Sequence, residues 1–147
     1  MSRSKKMIRF RLPFQFALIA IALVPAIPLS AEERMHAGLW ELSITLDGKS
    51  KGSHDTCFTP GMLELTNSPA KLLREATEKA ATQGGHCSLK DYKLDGNSIS
   101  TTMVCGAKSS ATSSTYSLSA FDTVNTSTEA GVNVVTHIKG RFLGACK

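Results

Sequence analysis

Residues 38 to 46 alternate strictly, with Trp40, Leu42, Ile44 and Leu46 on one side of the chain and Glu41, Ser43 and Thr45 on the other. That two-residue period belongs to a half-buried β-strand. Asp47-Gly48 supplies a tight hairpin turn, and Ser50 to Phe58 makes the returning strand. Thr59-Pro60-Gly61 breaks the pattern. Asn67-Ser68-Pro69 then reads as a helix start, with Ser68 as N-cap and Pro69 in the first turn, where its missing N–H is harmless. Leu72, Leu73, Ala76 and Ala80 recur at helical spacing, Lys71, Glu75 and Lys79 line the outer side, and Gly84-Gly85 closes the helix. So narrow a stripe suits a short helix laid on a sheet.

The hairpin around Asp95-Gly96-Asn97 carries more information, because its register can be worked out. With Gly96-Asn97 as the loop, Leu94 pairs with Ile99 and Tyr92 with Thr101, but Cys87 and Leu89 then fall out of phase with Tyr92 and Leu94. One extra residue at Lys90-Asp91, opposite Thr102, restores a single apolar face: Leu89 meets Met103 and Cys87 meets Cys105. Beyond Cys105, Ser and Thr alternate with Tyr116 and Leu118, as in solvent-facing strands. Turns are expected near Phe121-Asp122 and at Ala130-Gly131, and valine-rich residues 132 to 138 make the last long strand. The pattern predicts a mainly β (α+β) fold: one curved antiparallel sheet of about six to eight strands, or a partly open barrel, with one short helix between strands 2 and 3.

Ahead of this lies a stretch of different character. Arg3, Lys5, Lys6, Arg9 and Arg11 precede a nearly unbroken apolar run from Leu12 to Leu29, which ends in the small residues Ser30 and Ala31. This is the order of a secretory signal peptide, and Pro25 and Pro28 disfavour a persistent membrane helix. The expected organisation is therefore a leader at 1–31, cleaved after Ala31, and one disulfide-stapled β domain at 32–147, with no stable membrane span after cleavage. Five of the 17 Lys and Arg residues, and none of the 12 Asp and Glu, lie in the leader, so the remainder carries 12 of each and no formal net charge. The sequence pI of about 9.2 is a property of the leader, which removes the electrostatic case for nucleic-acid binding.

Export also sets the meaning of the cysteines. Cys57, Cys87, Cys105 and Cys146 form an even set, read in an oxidising compartment as a disulfide framework. The bulged register pairs Cys87 with Cys105 and leaves Cys57 to Cys146. No cysteine stands at the expected cleavage site, so the product is expected to be periplasmic or secreted without a lipid anchor. His54-x-x-Cys57 and His86-Cys87 approach metal-ligand spacing, but there is no Cys-x-x-Cys or His-x-x-x-His pair and no free thiolate for zinc; no metal or cofactor is expected. Gly48-Lys49-Ser50 lacks the upstream glycine of a phosphate loop, no Gly-x-Ser-x-Gly elbow occurs, and His137 on the polar side of its strand reads as a surface histidine.

Several of these landmarks also stand in a familiar order. Gly38-Leu39-Trp40-Glu41, Cys57-Phe58-Thr59-Pro60, Asp91-Tyr92-Lys93, Gly96-Asn97-Ser98-Ile99-Ser100 and the terminal Gly140-Arg141-Phe142-Leu143-Gly144-Ala145-Cys146 together resemble the bacterial exported family known as domain of unknown function 3617. The resemblance spans nearly all of the expected mature chain. It implies an envelope or periplasmic address and brings no catalytic residues. Members often have Met- and Gly-rich strands and an aromatic just before the terminal glycine; here Ile138 and Lys139 stand in that place.

The functional expectation is a non-enzymatic binding module. An apolar concave sheet face, lined by residues such as Trp40, Leu42 and Tyr92, would take a small amphipathic ligand or an envelope protein. A small envelope hydrolase, or a purely structural envelope component, is the alternative.

Overall fold

The computed structural model describes residues 33–83 and 87–147. The expected leader and its cleavage site lie outside them, as do Gly84-Gly85 and His86. Strands β1 (Gly38–Leu46) and β2 (Lys49–Phe58) form the first hairpin, closed at Asp47 and Gly48, both at positive φ (47° and 75°) as a tight turn of this hand demands. Two helices follow, α1 (Pro60–Leu63) and α2 (Ala70–Gln83), and then β3 (Cys87–Asp95), β4 (Ser98–Cys105), β5 (Lys108–Tyr116), β6 (Ala120–Glu129) and β7 (Val132–Gly144). These seven strands lie in one open antiparallel sheet of order β2-β1-β7-β6-β5-β4-β3. The sheet is open, as expected: β2 and β3 are its opposite edges and do not pair with each other. For the same reason the connection between them, which holds both helices, must cross the sheet.

The register of β3 and β4 follows from the apolar phase. Leu94 faces Ile99, Tyr92 faces Thr101, the ladder skips a residue between Leu89 and Asp91, and Cys87 comes opposite Cys105. Those two cysteines are joined, as are Cys57 and Cys146, with Cα atoms 4.1 and 5.7 Å apart.

Elsewhere the structure departs from the pattern. The turn expected near Phe121-Asp122 falls at 117–119, because the Ser117 hydroxyl accepts from Ala120 N (2.9 Å) while its backbone N–H donates to Ala120 O (2.7 Å), closing a turn without glycine or proline. Phe121 is thereby released to the sheet interior. Thr59 does more than break a strand: its side chain accepts from Met62 N and starts the single turn of α1 with Pro60 at the first position. Ser68 does not cap α2; its hydroxyl donates to Leu65 O, and the Pro69 carbonyl accepts the first helical bond, from Leu73 N. The inner line of α2 is Leu73 and Ala81, both buried, with the half-buried Thr77 between them, leaving Leu72 and Ala80 exposed. Thr77 can lie on that line because its hydroxyl donates to Leu73 O at 2.7 Å, so no polar group goes unsatisfied.

The packed core is small. Met35, Trp40 and Leu63 form its centre, with Leu42, Phe58, Tyr116, Phe121 and Phe142 packed around them. Trp40 has no exposed surface and donates its indole N–H to His36 O. It meets Phe58, Phe121 and Phe142 at ring-centroid distances of 6.3, 5.7 and 5.5 Å, within the range where aromatic pairs add to simple burial. The segment before β1 is stitched on by Asn67, whose Oδ1 accepts from the backbone N–H of Arg34 and of Met35 and whose Nδ2 donates to Met35 O. The buried Arg34 guanidinium donates from Nη1 to Thr66 O and Ser68 O, holding the link between the helices.

Candidate binding face

Residues directly opposite on neighbouring strands share a face of the sheet, so the register can be read across the strands as rows. On the helix-bearing face the first row runs Leu42, Gly140, Phe121, Tyr116 and belongs to the core. The next is Ile138, Thr123, Ser114, Ile99, and after it comes Thr136, Asn125, Thr112, Thr101, Tyr92. Away from the core, then, the middle of this face is hydroxyl and amide. Asn125 Nδ2 donates to Ser110 Oγ and Thr112 Oγ1, both at 2.7 Å, and Thr123 donates to Ser114 Oγ at 2.9 Å. A wholly apolar concave face, expected from the alternation of β1, is thus not what the strands build: β5 and β6 contribute Ser, Thr and Asn to it.

The last two rows make a hollow. Val134, Ser127, Ser110 and Met103 lie across β7 to β4, followed by Val132, Glu129, Lys108 and Cys105. They line a cavity of about 460 Å³, within the size range of small-molecule sites. Its two flanks are apolar, Val132 and Val134 on one side, Met103 and the Cys87–Cys105 bridge on the other. Its centre is polar, with the hydroxyls of Ser110 and Ser127 and the ion pair of Lys108 Nζ with Glu129 Oε1 at 2.8 Å. The β4–β5 and β6–β7 turns, two strands apart in the meander, bring these residues to one end of the sheet.

The three residues expected to line a groove are not brought together there. Trp40 is enclosed in the core, Leu42 packs against it, and Tyr92 stands on β3, the opposite edge strand from β2. Tyr92 lies beneath α2, with the Arg74 guanidinium 5.9 Å from its ring centroid. Its hydroxyl is buried with no hydrogen-bond partner among the described residues. Burial pushes the phenol above its ordinary value near 10, against the downward pull of Arg34 and Arg74. A raised value in the folded state means that whatever stability the neutral phenol contributes is complete below pH 10 and is lost as pH rises through the raised value. Replacing Tyr92 with Phe should therefore leave thermal stability unchanged or raised, since an unpaired buried hydroxyl is removed, and should delete from an alkaline absorbance titration a phenol that titrates above its ordinary value. A clear loss of stability would show that the hydroxyl has a partner.

On the opposite face, His137 Nε2 and Asp122 Oδ1 lie 2.6 Å apart, with Lys139 Nζ 3.7 Å from Asp122 Oδ2 and Arg141 paired to Glu41. Among the described residues no hydroxyl or thiol bonds to the His137 ring. No group of metal-ligating side chains occurs among the described residues, and no helix there is long and apolar enough to cross a membrane. A third surface feature, the exposed Met62, Leu65 and Leu72, lies on the helices and the link between them.

A family profile described as a protein of unknown function (DUF3617) matches residues 35–146. The chain belongs to that family. Neither the curated proteins nor the solved structures contained a match. The family match begins at Met35, beside the core tryptophan, and ends at Cys146, the last half of the long-range bridge, so the DUF3617 region takes in the core, both disulfides and the lined cavity. The cavity residues of this DUF3617 domain carried one advance signal in the sequence: Met103 and Cys105 share the apolar face of their hairpin. Nothing local foretold Val132, Val134, Ser110 or Ser127, which meet them only through the strand order.

Proposed function

We propose that this DUF3617 domain is an exported, non-enzymatic binding protein that holds a small amphipathic ligand in the cavity between the β4–β5 and β6–β7 ends of its helix-bearing face. The observation that carries the reading is the arrangement of the lining: apolar flanks at Met103 and at Val132 and Val134, and a polar centre at Ser110 and Ser127. Such a cavity offers dispersion and desolvation to a short hydrocarbon chain and neutral hydrogen bonds to whatever polar group it carries. Pairing of all four cysteines fits an oxidising compartment, and so supports export.

Val132 is 65% exposed, so a charge there has little to disrupt in the fold. Val132→Glu should weaken binding of the fluorescent probe N-phenyl-1-naphthylamine by about tenfold or more, because an ionised carboxylate opposes burial of an apolar ligand. Stability in urea should stay within about 0.5 kcal/mol of the parent. Undiminished probe binding in the variant, or no binding by the parent, would refute the site.

A further inference from the structure

We infer, resting on the reading of this cavity as the binding site, that its ligand is an uncharged amphiphile: a short hydrocarbon chain bearing a hydroxyl, ester or similar neutral head, and not a fatty-acid anion or an alkyl cation. The charges lining the cavity are Lys108 and Glu129, directly opposite each other on β5 and β6, and they neutralise one another at 2.8 Å. Among the described residues no lining charge is left over to match an ion. An anionic head would have to draw Lys108 away from Glu129 and sit beside a carboxylate, while a cationic head would have to do the converse. The pair itself stays largely in water, so the cost falls on the ligand: an ionic head entering the cavity finds no unmatched charge of opposite sign to replace its hydration.

The hydroxyls point the same way. Asn125 donates to Ser110 from within the face, so the Ser110 oxygen already accepts one bond and its own proton remains to be donated. Ser127 stands opposite Ser110, its hydroxyl making among the described residues only a long 3.5 Å contact to Val134 O. Two adjacent hydroxyls that can donate or accept suit an alcohol or ester oxygen. They give a full carboxylate too few donors to replace its hydration.

Competition against bound N-phenyl-1-naphthylamine tests this with three amphiphiles of equal chain length, monodecanoylglycerol, decanoate and decyltrimethylammonium, each below its micelle concentration at neutral pH. The glyceride should bind the parent at least about tenfold more tightly than either ion. Glu129→Gln leaves Lys108 without its partner and should strengthen decanoate binding severalfold, up to about fivefold, while the glyceride changes little. Equal affinities for the three in the parent, failure of all three to displace a bound probe, or unaltered decanoate binding in E129Q would overturn the inference and leave the site standing. Absence of any probe binding, or probe binding indifferent to V132E, would instead overturn the site itself.

Discussion

Reduction of both disulfides is expected to leave the protein marginal or unfolded at room temperature, and the two bridges should contribute unequally. Cys57–Cys146 spans 89 residues and Cys87–Cys105 spans 18. Loop-closure entropy of the unfolded chain assigns about 4 to 5 kcal/mol to the first and about 3 kcal/mol to the second. Against a typical total of about 5 to 15 kcal/mol, their joint loss is decisive. The hydrophobic reserve is small: among the described residues the buried apolar side chains are Met35, Trp40, Leu63, Leu73 and Ala81, two of them on α2 and outside the central cluster. A sheet with so little packed against it leans on covalent links.

Position adds to entropy here. Cys57 lies in edge strand β2 and Cys87 in edge strand β3, so each bridge ties down a strand that has a ladder on one side only. Urea unfolding of the paired variants C57S/C146S and C87S/C105S should place the first well below the second in midpoint, and both below the parent. Concentration-dependent association should accompany the loss, since released edges are free to pair with other chains. If C87S/C105S proved the less stable, local anchoring of β3 would outweigh the long loop; if neither variant lost stability, the bridges would have no structural role.

What could be read in advance divides along physical lines. Where one strand face is apolar and the other polar, a slip of one residue moves every side chain to the wrong side, so β1 and the bulged β3–β4 pair were determined by their own residues. The Ser/Thr-rich strands β5 and β6 offered no such contrast, since hydroxyls suit either face. The Ser117 turn therefore carries no local signal, and the polar middle of the helix-bearing face is set by β5 and β6 against the apolar pattern of β1. The helix illustrates a different limit: Leu72 and Leu73 are equal candidates for burial, and Thr77, counted as polar, decides between them by bonding back to Leu73 O. The candidate site was hidden for a third reason. Its two flanks come from β4 and β7, and only the order β7-β6-β5-β4 brings Met103 and Val134 to the same end of one face. Trp40 and Tyr92, the conspicuous aromatics, serve packing.

The same tertiary logic gives Gly140 an importance its neighbours do not announce. It is buried in β7, opposite Phe121 and Leu42, and a Cβ built on it would fall inside the van der Waals envelope of Cε1, Cδ1 and Cζ of the Phe121 ring. The ring lies over the glycine, so the clash is with its body and no flexible end can swing clear. Phe121 cannot retreat freely either, since it meets Trp40 at 5.7 Å and Tyr116 at 6.2 Å between centroids. Gly140→Ala should therefore cost about 1 to 3 kcal/mol by overpacking, despite the better strand propensity of alanine. It should also alter the fluorescence of Trp40, the one tryptophan in the chain. Phe121→Ala alone should cost about 3 kcal/mol through the cavity it opens. Combined, the two changes relieve each other: the methyl introduced at position 140 enters space the ring has left, and the double variant should be more stable than the sum of the single losses by about 1 kcal/mol or more. Additive losses in a urea double-mutant cycle would mean that Gly140 acts through the backbone and that its contact with Phe121 is incidental.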